Sequence, residues 1–192
     1  WNASRFTLMN LTITECRLPE ADKLRLEDRW ILSKLNTLIG EVTQNLDKFE
    51  LGVALAKLYD FVWDILCDWY IDLVKPRLSD GDTVAQNVLC HVLTETLKLL
   101  HPFMPFITEE IYQALPHDCE SIMISKYPTV DDTLNFPAEE ERIAALIEAI
   151  TQIRNRRAEM NVAPSKKAKL IIVSDADDIY NKETAQFFEK LA

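Results

Sequence analysis

Eight prolines against three glycines, set in a 192-residue chain whose apolar side chains recur every three or four positions, leave few folds open except long helices broken at fixed points. The spacing of Leu26, Trp30, Ile31, Leu35, Leu38, Ile39, Val42 and Leu46 predicts a helix capped by Asp22 and reaching about Phe49. The pattern resets at Glu50 to Gly52, and a second helix runs to Pro76, where a donor is lost and the ring crowds the preceding turn. Ser79 to Gly81 read as a turn. A third helix begins near Asp82 and stops where His101 precedes Pro102. Pro105 and Thr108 start a fourth that ends by Pro116, followed by an extended connector, 117–136, in which Ser121 to Ile124 are expected as a short strand. A fifth helix runs from Pro137 to about Met160. Beyond Pro164, Ala168 to Val173 read as a strand, then an Asp-rich turn and a helix from about Ile179 to Leu191. The expected fold is mainly α: an antiparallel helical bundle over 1–136, then a helix and a small C-terminal α/β segment over 137–192.

Composition narrows the function classes. A chain with 48% hydrophobic residues buries a real core. The four cysteines (Cys16, Cys67, Cys90, Cys119) are far apart, with no Cys-x-x-Cys and no histidine at a zinc-ligand interval, so reduced thiols in a cytoplasmic protein are expected rather than disulfides or a metal site. No apolar run reaches the ~20 residues that span a bilayer, and the chain opens on Trp1 without a signal core. It also closes inside an expected helix, so it reads as part of a longer protein. A formal charge of -10 excludes a generally sticky nucleic-acid binder, and only local patches can carry such a role. No Gly-rich phosphate loop or nucleophile elbow occurs, and His91, His101 and His117 lack a nucleophile or carboxylate arrangement. They read as structural histidines.

Three local features stand out. In Tyr59 to Lys75, the residues Asp60, Asp64, Asp68 and Asp72 recur at i, i+4, which on a helix aligns like charges at roughly 0.2–0.5 kcal/mol per pair. Solvation or a cationic or hydrogen-bond-donating partner must offset that. Trp63, Trp69 and Tyr70 beside them are expected in the bundle core. Between Arg154 and Lys169 lie six bases (Arg154, Arg156, Arg157, Lys166, Lys167, Lys169) and one acid, Glu159, which reads either as a phosphate-contacting patch or as a solvated helix end. The opening WNASRF combines the aromatic planes of Trp1 and Phe6 with the donors of Asn2 and Arg5.

The run LHPFMPFITEEIY, Leu100 to Tyr112, resembles the signature of the anticodon-binding helical bundle in the class I aminoacyl-tRNA synthetases for valine, isoleucine, leucine and methionine. WNASRF, FVWDILCDWYID, SIMISKYP and IRNRRAEMNVAPSKK, in this order, resemble the valine branch of that family more closely than its siblings. The resemblance implies a non-catalytic, cytoplasmic part of a ligase that grips the anticodon arm of valine tRNA and works with the remainder of its own chain, with neither membrane nor DNA as partner. The adenylation motifs and the editing insertion have no counterpart here. ATP and Mg would therefore belong to the catalytic core, and this part needs no cofactor. Carried over by position, Asn2 and Arg5 would bond base edges or phosphate and Phe6 would stack a base. Asp64 and Asp68 would accept from the exocyclic amines of the A and C that valine anticodons share. Arg154, Arg156, Arg157, Lys166 and Lys167 would contact the tRNA backbone. The signature run itself reads as architecture: Pro102 and Pro105 fix a turn, Phe103, Met104 and Phe106 plug the bundle, and Thr108 with Glu109 cap the next helix. The rival readings are a helical scaffold whose acidic stripe docks a basic partner, and the equivalent domain of an isoleucine enzyme.

Overall fold

Leu24 and Leu26 are buried, and that burial decides where the first long helix starts. The computed structural model describes residues 1–163, 166–174 and 179–191. The chain forms α1 (Asn2–Asn10), a 3-10 turn (Ala21–Lys23), α2 (Leu26–Asp47), α3 (Leu51–Asp60), a π-helical segment (Phe61–Tyr70), α4 (Ile71–Ser79), α5 (Thr83–Leu100), α6 (Pro105–Ala114), two 3-10 turns, α7 (Pro137–Glu159) and α8 (Lys182–Leu191). It divides into two compact units, Trp1–Phe136 and Pro137–Ala192. The mainly helical class holds, and among the described residues there is no strand.

In the first unit, α2 buries Trp30, Ile31, Leu32, Leu35, Leu38 and Val42, and α5 buries Val88, Leu89, Val92, Leu93 and Leu97. Asp22, expected to cap α2, lies instead in the 3-10 turn. The helix starts four residues later, where the Asp28 carboxylate accepts the Arg25 backbone N–H at 3.1 Å. Asp82 does cap α5, accepting from Val84 and Ala85 N–H.

α3, the π segment and α4 form one unbroken helix, since the backbone is helical at both junctions. The π stretch closes its turns on five residues, as in the bond from Ile71 N–H to the Leu66 carbonyl. Its buried positions follow that wider register: Phe61, Leu66 and Tyr70. Pro76 does not end the helix, contrary to the proline rule. A proline costs one donor and one crowded turn, and the residue after it is held in place: Arg77 is buried and anchored to α2.

That anchor is an ionic cluster inside the bundle. The Arg77 guanidinium donates to Glu27 Oε1 at 2.7 Å, to Asp28 at 2.8 and 2.9 Å, and through Nε to Asp82 at 2.9 Å. Tyr70 OH donates to Asp28 at 3.4 Å. Glu27, Asp28 and Arg77 are 2, 0 and 6% exposed, so water neutralises none of these charges. Burial pushes the Glu27 and Asp28 carboxyls above their usual range, and Arg77 opposes that shift. Burial alone would weaken the Arg77 charge, but Asp28 and Glu27 more than offset it. Nothing in the periodicity marked this cluster. Its one sequence signal is an arginine on the buried side of an apolar helix.

Among the described residues, three helices end in the same motif, with a left-handed residue one position past the cap. Glu50 and Phe49 N–H bond the Asn45 and Leu46 carbonyls, Asp82 and Gly81 bond Arg77 and Leu78, and Val162 and Asn161 bond Arg157 and Ala158. The left-handed residues are Phe49, Gly81 and Asn161, with φ of 59°, 75° and 53°. Glycine and asparagine are the usual choices there; phenylalanine is not.

The connector lies along α2, as expected of a segment wrapping the bundle. Asn36 exchanges two bonds with the Asp131 backbone at 2.8 and 2.9 Å, and Ser33 Oγ accepts from Phe136 N–H. Its Ile122–Ile124 stretch is a 3-10 turn, not a strand, because the Glu109 carboxylate takes up Ser121 Oγ–H and Ile122 N–H in place of a ladder. Glu109 thus caps the connector, while Thr108 is buried and bonds back to Met104 and Pro105. The signature run does not plug the core as expected. Phe106 is 90% and Met104 44% exposed, because α6 turns Ile111 and Tyr112 inward instead.

In the second unit, α7 buries Ile143, Leu146 and Ile150, and α8 buries Thr184, Phe187 and Phe188. α8 opens with a reciprocal cap in which Asn181 Oδ1 accepts Thr184 N–H and Thr184 Oγ1 accepts Asn181 N–H. Residues 168–173, expected as a strand, carry no regular structure. A lone extended segment has no ladder to satisfy its backbone, and no described residue offers one. Pro164 and the Asp-rich turn at 175–178 lie outside the described residues.

Candidate nucleic-acid interface

α1 is a short helix with few apolar anchors of its own. It buries Ser4 and Thr7, and Thr7 Oγ1 bonds back to the Ala3 carbonyl at 3.0 Å. Small hydroxylated side chains let it lie close to the bundle, and its Leu8 with the segment after it supplies the grip. Leu8, Leu11, Ile13 and Cys16 pack against the cluster of Cys90, Leu93, Leu97, Ile111 and Tyr112. Two amides on α5 then strap the backbone down. Gln86 Oε1 accepts Thr12 N–H at 2.8 Å, and Asn87 Oδ1 accepts Arg17 N–H at 2.9 Å. Sequence reasoning missed both amides; polar residues on an otherwise apolar helix face were the available signal.

So held, α1 turns Trp1, Asn2, Arg5 and Met9 outward. The Arg5 guanidinium and the Asn2 amide have no hydrogen-bond or ion-pair partner among the described residues, so their donors are available to a ligand. Phe6 differs. Its ring is half-buried and the Lys75 ammonium sits 5.7 Å from its centroid, so one of its faces is already occupied. Lys75 also pairs with Asp72. This edge of the bundle thus carries two cations, Arg5 and Lys75, beside an amide and exposed aromatic surface.

Asp60, Asp64 and Asp68 project outward along the helix that leads to Lys75. Trp63, expected in the core, is 56% exposed because the π register turns Leu66 and Tyr70 inward instead. Trp69 is half-buried and Tyr70 fully buried.

The basic cluster belongs to the second unit, and the structure divides its members. Arg154 Nε donates to the Leu191 carbonyl at the end of α8, and Arg157 donates to the Ala163 and Lys166 carbonyls, so both brace the backbone. Arg156 pairs with Glu159 on the exposed surface. Lys166 and Lys167 are exposed and, with Lys169, Arg157, Tyr180 and Phe188, line a cleft of about 920 Å³. Ammonium groups beside aromatic rings suit a phosphodiester chain with unstacked bases. Among the described residues no group of His, Cys, Asp and Glu is placed to hold a metal, and no helix is long and apolar enough to cross a membrane.

A family model for the anticodon-binding domain of tRNA ligase matches residues 28–172. The chain belongs to this family. Among curated proteins, the valine–tRNA ligase of Clostridium acetobutylicum is 51% identical over 199 residues, which cover 100% of this chain and 22% of that protein. The valine–tRNA ligase of Clostridium perfringens is 49% identical with the same coverage. That of Fervidobacterium nodosum is 42% identical, over 99% of this chain and 23% of its own length. The chain therefore spans about a fifth of the length of the curated relatives it matches. In this anticodon-binding domain, α1 and the segment after it lie ahead of the matched residues, whereas Asp28, Arg77 and Asp82 of the ionic cluster, the amides Gln86 and Asn87, the connector and the basic segment fall inside them.

Proposed function

We propose that this domain recognises the anticodon arm of valine tRNA through α1, and that it serves aminoacylation carried out by residues elsewhere in a longer ligase. The observation that carries the reading is the outward row of Asn2 and Arg5, whose side-chain donors have no partner among the described residues, beside Lys75 on a domain whose overall charge is negative. A chain of charge -10 must confine phosphate contact to such places. The valine specificity rests on the relatives named above, which are 42, 49 and 51% identical to this chain over 99–100% of its length and are valine–tRNA ligases.

The reading is tested by titrating the 192-residue protein at fixed low salt with valine tRNA and with the same tRNA carrying a swapped anticodon. A preference of about tenfold for the native anticodon is expected, the size of one good base contact. Equal affinity would remove sequence reading from this domain.

The cleft of the second unit would add backbone contact through Lys166, Lys167 and Lys169. Replacing Lys166 and Lys167 with glutamate should flatten the dependence of log K on log salt by about 0.7–0.9 for each phosphate that the variant leaves unneutralised, with the anticodon preference unchanged. An unaltered slope would assign both lysines to solvent.

A further inference from the structure

An apolar row runs along the outside of α3 and into the π segment. Leu51, Leu55, Tyr59 and Trp63 recur every four residues and are 54, 41, 63 and 56% exposed. The Tyr59 and Trp63 rings are 9° from parallel with centroids 6.2 Å apart, so they present one aromatic plate. At the start of the row stands Phe49, 88% exposed and left-handed. Glycine adopts that backbone with less strain, so stability alone favours glycine there. The exposed Tyr59 and Trp63 rings, at ~150–250 Å² per aromatic side chain, together with Leu51 and Leu55 make an apolar row of a few hundred Å², the size of the largest patch on an ordinary monomer, which is often functional.

Charge identifies the occupant. Asp60 and Asp64 follow Tyr59 and Trp63 directly, Asp68 continues their row, and none of the three has an ion-pair or hydrogen-bond partner among the described residues. Between residues 47 and 70 there are five carboxylates and two lysines, and one of those lysines, Lys57, is held by Glu41 of α2 at 2.8 Å. A polynucleotide brought here would set phosphates against three uncompensated carboxylates, and it has no aliphatic surface for Leu51 and Leu55. A basic amphipathic helix satisfies every part of the face. Its leucine-like side pairs with the apolar row in ridges of matching four-residue spacing. Its lysines and arginines reach the aspartates and lie over the aromatic plate.

We propose that the outer face of α3 and the π segment docks a basic amphipathic helix of a partner protein, with Leu51, Leu55, Tyr59 and Trp63 as the apolar seat and Asp60, Asp64 and Asp68 as the charged flank. Asp64 and Asp68 then serve protein recognition, while RNA contact stays with α1. The two readings use different residues and fail separately.

The test uses a fluorescent leucine–lysine peptide of about 20 residues, long enough to be helical, and a scrambled peptide of the same composition. The 192-residue protein should bind the amphipathic peptide at least about tenfold more tightly than the scrambled one. Leu55→Ser with Trp63→Ser should abolish that preference, and Asp60→Asn with Asp64→Asn and Asp68→Asn should weaken binding and remove most of its salt dependence. The asparagine variant relieves like-charge repulsion and so keeps the test open should the serine variant lose helix. Phe49→Gly should raise the melting midpoint while weakening the peptide severalfold. Equal affinity for the scrambled peptide, or a serine variant that binds like the parent, overturns the proposal. So does displacement of the peptide by an anticodon-arm RNA whose own binding falls in the serine variant, since the face would then belong to RNA.

Discussion

Replacing Arg77 with methionine is expected to destabilise the first unit by about 3–5 kcal/mol and to lower its melting midpoint by on the order of 10 °C. Methionine fills much of the same space, so the loss comes from charge. Glu27 and Asp28 are 2 and 0% exposed and would face each other without a cation. Burial already raises both carboxyls with Arg77 present, and removing it raises them further. The sign of the pH dependence follows. A carboxyl that titrates higher folded than unfolded binds its proton preferentially in the folded state, so stability falls as pH rises through the interval between the two values. The gap between parent and variant should therefore be widest near neutrality and narrow as pH falls toward the carboxylate range. Urea melts across that range decide it, and a variant within about 1 kcal/mol of the parent at neutral pH would show that the cluster contributes nothing net. Substituting Glu27, Asp28 and Arg77 together by apolar residues should cost far less than Arg77→Met alone, because no charge is stranded.

The second large effect is on binding. Arg5→Ala should weaken affinity for valine tRNA by about tenfold to a hundredfold, the range of a charge-assisted contact to phosphate or a base edge, with helicity and melting midpoint unchanged. The prediction separates cleanly from stability because Arg5 is exposed on the outward side of α1. If the loss is the same for native and swapped anticodons, Arg5 holds phosphate; if it is confined to the native anticodon, Arg5 reads a base. Unchanged affinity at low salt would take Arg5 out of the interface. Phe6→Leu should have a smaller effect than a free stacking platform would show, since the Lys75 ammonium already covers one ring face.

Helix positions were legible wherever periodicity and punctuation agreed. α5 opens on Asp82 and closes before Pro102, and α6 opens on Pro105, because capping carboxylates and proline act locally. The π register was not legible: FVWDILCDWY is apolar at nearly every position except the aspartates, so no period can be read from it. Hydrophobicity ranks residues by type and so places Trp63 and Phe106 inside. Their outward position depends on which neighbours, Tyr70 and Tyr112, fill the core first. The exposure of Asn2 and Arg5 follows from their chemistry, whereas the cover over Phe6 comes from Lys75, far away in sequence. Arg77 broke the proline rule for the same long-range reason: its partners Glu27 and Asp28 lie some fifty residues earlier.

The strap from Gln86 and Asn87 to the segment after α1 separates the placing of this helix from what its outer surface carries. α1 fully buries only Ser4 and Thr7, while two side-chain amides rooted in α5 set where it lies. Its outward positions can therefore be rewritten without repacking the interior, and the interior can drift without moving the outward face. On the role proposed for α1, a domain built this way is free to change the triplet it distinguishes while keeping one scaffold.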